Sequence, residues 1–279
     1  MAIFFWIKNF GQAGSLDSSF GVNGKNSSCN QGHIIPFSTA IQSNSKIVSY
    51  GFQNENTTST IFLVRYDSNG ILDPTFGSNG FVGDTQLLQV LSGDYNAVNM
   101  VVLPDDKILI LLRGSTSTMN NYLIRLTSDG LIDATFHGTG VVNLGIGSGQ
   151  EFDDGLAMQL QPDGKILVGV TSEAPVGMYY TLVRFNSNGT FDTTFGNNGI
   201  THTQIFNGQS GLRSIVVLPN GKIITGGYCN DGATKRYVLV QYLPNGALDS
   251  TFGTNGIYRR VFADLSLGRI EENIGTTRW

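Results

Sequence analysis

The residues best suited to chemistry stand shortly before a turn that the sequence repeats four times. They are charged, polar or aromatic where the copies differ from one another, and they form one candidate ligand site: His33, Asp94, Tyr95, Asn96, Asp153, Asp154 and Arg213. Two carboxylates near each other can act as acid and base, or acid and nucleophile, in cleaving a glycosidic bond. Asp94, Asp153 and Asp154 are the set that could do so, with Arg213 as an anion contact.

The sequence contains no other recognisable catalytic arrangement. No Ser/His/Asp or Cys/His combination has a known local signature, and no glycine-rich phosphate loop precedes a helix. The three histidines, His33, His137 and His202, lack the spacing of metal ligands. The sequence therefore predicts neither a metal site nor a cofactor.

A phrase of nine residues, first seen as LDSSFGVNG at Leu16–Gly24, occurs five times and organises the chain. Successive phenylalanines of the phrase are 56, 60, 59 and 57 residues apart. The aspartate and phenylalanine of the five copies are Asp17 and Phe20, Asp73 and Phe76, Asp133 and Phe136, Asp192 and Phe195, and Asp249 and Phe252. A period this steady indicates a repeat protein.

Each repeat has four short apolar runs separated by turn residues, as antiparallel strands do. In one repeat the runs are Ala97–Leu103, Lys107–Leu112, Tyr122–Leu126 and Val141–Leu144. Four-stranded units stacked around an axis make a β-propeller. We predict an all-β, five-bladed propeller, in which both chain ends share the closing blade and pair their edge strands. An open array or a β-solenoid is the alternative.

The boundaries follow from the repeat. We predict a single domain over 1–279, with a partial repeat at 1–30, blades at 31–83, 84–144, 145–204 and 205–265, and a closing strand at 266–279.

The repeated pattern resembles the bacterial delta-60 repeat. The resemblance rests on Arg65-Tyr66, Asn69-Gly70, Leu72-Asp73, Phe76-Gly77 and Gly80, and on units such as Pro162–Ile166. His137 replaces the first glycine of the phrase in one copy, and Gln241 replaces the strand arginine in the last. The resemblance implies a propeller of a bacterial, often secreted or surface, protein and supplies no catalytic residues.

A residue present in every copy is expected to serve the fold of that copy. We predict that the phrase aspartate accepts local backbone N–H bonds in a turn and does not bind calcium, which needs six to eight oxygens. We expect the phrase phenylalanine to be buried between neighbouring blades, so that Phe136→Ala costs about 3–5 kcal/mol. The strand arginines Arg65, Arg125 and Arg184 either pair with the aspartate or extend to the edge of the sheet.

The composition restricts the classes of partner that the protein is expected to bind. The net charge of −4 argues against a nucleic-acid partner, and the apolar run Ala2–Ile7 is too short for a membrane span or a signal peptide. Cys29 and Cys229 are too few for a disulfide framework. We predict a non-catalytic binding or scaffold protein that recognises a protein or glycan through its variable loops. A carbohydrate-active enzyme and a purely structural surface protein are the alternatives.

Overall fold

The chain folds into four-stranded sheets. The computed structural model describes residues 15–26, 33–55, 58–83, 87, 95–114, 121–146, 156–174, 177–206, 208–230 and 234–261. They belong to two compact units, Met1–Leu144 and Gly145–Trp279. The segments 1–14 and 262–279, on which the prediction of a closing blade depends, lie outside the described residues, as does Cys29. The single domain and the blade boundaries stay predictions.

The first unit contains two antiparallel sheets, each with its strands in chain order. Sheet 1 consists of β1 (His33–Ile41), β2 (Ile47–Glu55), β3 (Thr58–Tyr66) and β4 (Phe81–Gly83). Sheet 2 consists of β5 (Tyr95–Val102), β6 (Ile108–Gly114), β7 (Asn121–Leu126) and β8 (Val141–Asn143).

The second unit repeats this arrangement. Sheet 3 consists of β9 (Leu156–Leu160), β10 (Ile166–Ala174), β11 (Gly177–Phe185) and β12 (Ile200–Phe206). Sheet 4 consists of β13 (Gln209–Val217), β14 (Ile223–Asn230), β15 (Lys235–Tyr242) and β16 (Ile257–Val261). The predicted antiparallel units of four strands are therefore confirmed.

Turn chemistry sets the register of the first two strands in each sheet. The residue with positive φ is Ser45 in sheet 1, Asp106 in sheet 2, Gly164 in sheet 3 and Gly221 in sheet 4. This left-handed conformation suits a tight turn between antiparallel strands. Each turn fixes which residues face each other, from Ile41 with Ile47 in sheet 1 to Val217 with Ile223 in sheet 4.

The central strands are buried on both faces. The five residues from Ile108 to Leu112 in β6 are all 0% exposed, which explains why β6 is apolar without alternation. Within the first unit, Val48 and Leu63 of sheet 1 join Ile110 and Ile124 of sheet 2 in one core. Complete burial of such a side chain contributes roughly 1.5–3 kcal/mol.

Candidate functional site

The first strand of three sheets carries a β-bulge a few residues before the repeated turn. The register shifts between Pro36 and Ser38 in β1, between Ala97 and Asn99 in β5, and between Leu212 and Ser214 in β13. The bulged residues are therefore Phe37, Val98 and Arg213. A bulge leaves one residue outside the ladder and re-aims its side chain, and bulges are common beside active sites.

Two of the bulged side chains are exposed, each resting on a tyrosine. In the first unit, Phe37 is 50% exposed and stacks on Tyr50 with 6.0 Å between ring centroids. Burial raises the pKa of Tyr50 to about 12, so this ring carries a neutral hydroxyl. In the second unit, the guanidinium of the exposed Arg213 lies 5.4 Å from the ring centroid of Tyr228. A guanidinium held in this way can bind a carboxylate or a sugar hydroxyl.

The other predicted site residues are placed only in part. His33 begins β1, and Tyr95 and Asn96 begin β5. Asp94, Asp153 and Asp154 lie outside the described residues, so the predicted convergence of carboxylates stays a prediction. In the second unit, Asp153 and Asp154 come shortly before β9 in the sequence, separated from it by Gly155, and β9 packs against β13.

The phrase aspartates hold turns, as predicted. Asp73 Oδ1 accepts hydrogen bonds from the backbone N–H of Thr75 at 3.1 Å and from its hydroxyl at 2.7 Å. The aspartates of the next three copies bond Thr135, Thr194 and Thr251 in the same way. Among the described residues, no group of three or more histidine, cysteine, aspartate or glutamate side chains could hold a metal ion.

The second carboxylate oxygen binds two cations, which decides between the two alternatives for the strand arginines. Asp73 Oδ2 accepts from Arg65 Nε at 2.7 Å and from Lys46 Nζ at 2.8 Å. Arg125 and Arg184 bond Asp133 and Asp192 in the same geometry. In sheet 4, Gln241 replaces arginine and donates to Asp249 Oδ2 at 2.6 Å. The arginines therefore pair with the phrase aspartates.

The phrase phenylalanine also joins neighbouring repeats within each unit. It is buried as predicted at Phe76, Phe136 and Phe195, but Phe20 and Phe252 are only half-buried. Phe76 is 0% exposed and its ring lies beneath the guanidinium of Arg65. A Cβ on Gly130, in the sheet 2 turn, would lie 2.9 Å from this ring, so only glycine fits there. Gly77 N–H donates to the Asp129 carbonyl at 2.8 Å, and Arg65 donates to the Ser128 carbonyl. We call these contacts, together with the ion pair between Arg65 and Asp73, the latch.

The same latch recurs twice more. Between sheets 3 and 4, Phe195 packs on Gly246, and Gly196 N–H donates to the Asn245 carbonyl at 2.8 Å. Between the first phrase and sheet 1, Phe20 packs on Gly70. In these three copies the phrase residues therefore hold adjacent repeats of the same unit together, which leaves the variable positions for function.

The latch makes stability depend on acid pH. Burial by itself raises the pKa of Asp133, but hydrogen bonds from Thr135 and Lys107 and the charge of Arg125 outweigh it and hold this pKa at about 2. The pKa values of Asp73 and Asp192 are lowered for the same reasons. A lowered pKa in the folded state stabilises the fold above the unfolded value of 3.8, and this stabilisation is lost as the pH falls below it.

We therefore expect the free energy of unfolding to fall between about pH 4 and pH 2 as these carboxylates gain protons. Urea denaturation at pH 5, 4, 3 and 2.5 measures it. Asp133→Asn should flatten this part of the curve, because one of the titrating groups is gone. A wild-type free energy that stays constant from pH 5 to pH 2.5 would contradict the role given to the aspartates.

A row of hydrogen-bonded polar side chains crosses sheet 3, and the sequence analysis did not predict it. The hydroxyls of Ser172 and Thr181 lie 2.6 Å apart, and Thr181 Oγ1 lies 2.8 Å from Nδ1 of His202. Ser172 and Thr181 are buried, whereas His202 is exposed. The three residues are far apart in sequence and meet only through strand pairing, of which Thr181 with His202 is one pair. No local signal could have found them.

Comparison with family models identifies the repeat. Four segments, 42–76, 103–136, 161–195 and 218–252, match the model described as a domain of unknown function (DUF5122) β-propeller. Each segment runs from the turn before the second strand to the phrase phenylalanine, so it contains the aspartate and phenylalanine of the latch. No curated protein sequence matches the chain.

Among the residues that the structure describes, no helix has the length and apolarity needed to cross a membrane.

Solved structures that resemble the fold include three of carbohydrate-active enzymes. They are the alpha-L-arabinofuranosidase PaAbf62A from Podospora anserina in complex with cellotriose (TM-score 0.39, 9% identity), the polysaccharide lyase Uly1 (0.38, 10%) and a glycoside hydrolase (0.36, 11%). The matches cover 83%, 81% and 76% of this chain and 72%, 57% and 46% of those proteins.

This comparison corrects the functional prediction. The sequence led us to predict a non-catalytic binding or scaffold protein, and that prediction is wrong on this comparison, because the three structures named above are of carbohydrate-active enzymes. The identities and TM-scores are too low to assign any of their activities or catalytic residues to this chain.

Proposed function

Since the chain belongs to a β-propeller-type repeat family, we propose that it is a carbohydrate-active enzyme that cleaves glycosidic bonds. The candidate carboxylates are Asp94 in the first unit and Asp153 and Asp154 in the second, and Arg213 binds the substrate in the second unit. The observation that carries this proposal is the bulge in β13, which leaves Arg213 exposed on the ring of Tyr228. The strand β13 packs against β9, and Asp153 and Asp154 come shortly before β9 in the sequence.

The carboxylates and the arginine have different roles in the proposed reaction. One carboxyl group, protonated, gives its proton to the leaving oxygen of the glycosidic bond, and a second carboxylate activates water or attacks the anomeric carbon. Neighbouring residues on an extended chain point to opposite faces, so Asp153 and Asp154 are tested separately. Arg213 holds substrate oxygens by charge-assisted hydrogen bonds. The tyrosine beneath it limits the movement of the guanidinium.

The test is release of reducing ends from a panel of polysaccharides and aryl glycosides. Asp94→Asn, Asp153→Asn and Asp154→Asn are compared with Asp163→Asn, which removes a carboxylate from an exposed turn. Loss of a general acid or base typically costs 10²–10⁴-fold in rate. We expect at least one of the three variants, and not Asp163→Asn, to lose about 100-fold or more without a change in Tm. Equal activity in all variants, or no activity of the wild type on the panel, would overturn the proposal.

We also propose the finer architecture. The chain forms five blades of the delta-60 type, and its two ends contribute to the blade that closes the ring. The four matched segments and the additional phrase at Leu16–Gly24 support this count. Closure would protect the outer edges of the terminal strands from pairing with other chains.

A further inference from the structure

One face of sheet 3 brings an imidazole, an aromatic ring and two hydroxyls together beside the edge strand β12. Tyr179 and Thr181 are two residues apart on β11 and therefore share a face. His202 on β12 lies opposite Thr181, and Ser172 on β10 lies opposite Tyr179. The rings of Tyr179 and His202 meet edge to face, with 6.5 Å between their centroids. We call these four residues the His202 site.

The hydrogen bonds within this site determine which imidazole nitrogen carries the proton. Thr181 Oγ1 lies 2.6 Å from Ser172 Oγ and 2.8 Å from His202 Nδ1. When Ser172 donates to Thr181 and Thr181 donates to Nδ1, both hydroxyl protons have an acceptor. In the opposite order the Ser172 proton has no acceptor in the part of the chain that the structure describes, and a buried donor without an acceptor is costly. The neutral imidazole therefore carries its proton on Nε2.

This arrangement holds one hydrogen-bond donor in a fixed orientation at the surface. His202 is exposed, and its Nε2 lies on the other side of the ring from the bond to the buried Thr181. Among the described residues, no group hydrogen-bonds this nitrogen. A protonated Nε2 has no lone pair for a metal ion, so the ligand atom that it selects is an oxygen acceptor.

The surroundings of the site are neutral and partly aromatic. The strands β11 and β12 contain one residue that is aspartate, glutamate, lysine or arginine, namely Arg184, and the latch binds its guanidinium. The Tyr179 side chain is only half-buried, so part of an aromatic surface is open beside the imidazole. Aromatic rings bind apolar surface, and a few fixed polar groups set the orientation of a ligand. The combination suits a molecule with neutral oxygens next to C–H groups.

We propose that the His202 site binds one neutral sugar unit of a polysaccharide. His202 Nε2–H donates to a sugar hydroxyl, and C–H groups of the sugar pack on the Tyr179 ring. The choice of a sugar rests on the proposed function. The strands β12 and β9 are three strand spacings apart, about 14 Å, and Asp153 and Asp154 come shortly before β9. The site is therefore a second contact for a long substrate and not part of the carboxylate set.

The first test follows the imidazole NMR signals of the full-length chain as neutral oligosaccharides of glucose, galactose, mannose, xylose and arabinose are added one at a time. We expect at least one of them to shift the His202 signals until they saturate, while the signals of His137, an exposed histidine in the first unit, stay in place. No shift with any of these sugars, or tighter binding of uronic-acid oligosaccharides, would overturn the proposal. Hydrolysis of polysaccharides without a His202 shift overturns this site alone, whereas a shift without hydrolysis overturns the proposed function alone.

Substitutions at His202 separate the roles of its two nitrogens. His202→Gln keeps an N–H near the position of Nε2, whereas His202→Asn is too short to reach that position and still accepts a hydrogen bond from Thr181. By calorimetry we expect His202→Asn to weaken sugar binding about 3–10-fold, as the loss of one hydrogen bond does, and His202→Gln to retain most of it. The control His137→Asn should leave binding unchanged. Equal affinities of His202→Asn and the wild type would contradict the role given to Nε2.

The second test concerns Thr181 as a positioning residue. Thr181→Val keeps the shape of the side chain and removes the hydroxyl that bonds Nδ1. The ¹⁵N shifts of the neutral imidazole report which nitrogen is protonated. We expect wild-type His202 to be almost entirely in the Nε2–H form and Thr181→Val to gain the Nδ1–H form, a change that a merely structural threonine would not cause. A wild-type His202 that is mainly in the Nδ1–H form would overturn the proposal.

Discussion

Replacing Phe76 by alanine should destabilise the first unit by about 3–5 kcal/mol, because it empties a fully buried space between two sheets. The ring is 0% exposed and lies between the guanidinium of Arg65 and the backbone of Gly130. Its loss removes the apolar contact, leaves a cavity, and takes away the ring face on which the arginine rests. Urea denaturation followed by circular dichroism measures the change.

The control for this variant is Phe81→Ala. Phe81 begins β4 in the same sheet, and its side chain is 37% exposed. We expect this change to cost about 1 kcal/mol or less, since much of the ring is already in water. Equal costs for the two variants would show that burial in the latch does not determine the importance of the phenylalanine.

Asp192→Ala should cost a similar amount, about 3–5 kcal/mol, because removing one partner of a buried ion pair leaves the other charge uncompensated. Asp192 Oδ2 accepts from Arg184 Nε at 2.7 Å and from Lys165 Nζ at 2.9 Å. The side chain of Arg184 is only 8% exposed, so water cannot replace the carboxylate. The turn at Thr194 loses its two hydrogen bonds at the same time. Urea denaturation at pH 7 provides the measurement.

The chain itself suggests the matched variant, Arg184→Gln. Gln241 occupies the equivalent position in sheet 4 and keeps the bond to its aspartate. Arg184→Gln should therefore retain a hydrogen bond to Asp192 and lose the bond to the Pro244 carbonyl, at a cost of about 1–2 kcal/mol. If Asp192→Ala costs less than Arg184→Gln, the carboxylate is not the centre of the latch.

The strands and turns could be predicted from the sequence because their causes are local. Runs of Val, Ile and Leu separated by turn residues indicate strands, and Asp163-Gly164 indicates a turn with positive φ, which Gly164 has. The burial of Phe76 could also be predicted, because an aromatic residue in every copy of a repeat is expected to pack against the next copy. For Arg65 the sequence left two alternatives, because its pairing depends on where Asp73 lies in space.

The candidate site was less predictable, for a physical reason. Arg213 is exposed because the register of β13 shifts by one residue. No residue type by itself identifies the position of a bulge in a sequence. The chain from Ser172 through Thr181 to His202 needs three strands in one exact register. The variable positions before the turns could be found by comparing the copies, but which of them face solvent could not.

The most direct test of the latch is a double-mutant cycle between Phe76→Ala and Gly130→Ala, measured by urea denaturation. Gly130→Ala alone is destabilising, because its φ of +85° disfavours alanine and its Cβ would lie 2.9 Å from the Phe76 ring. Removing the ring relieves one of the two close side-chain contacts of the new methyl group, while the contact with Val82 Cγ2 at 2.6 Å and the positive φ remain. We therefore predict that the double variant is more stable than the sum of the single effects by about 0.5 kcal/mol or more. Effects that add within about 0.3 kcal/mol would contradict a direct contact between the phrase of one repeat and the turn of the next.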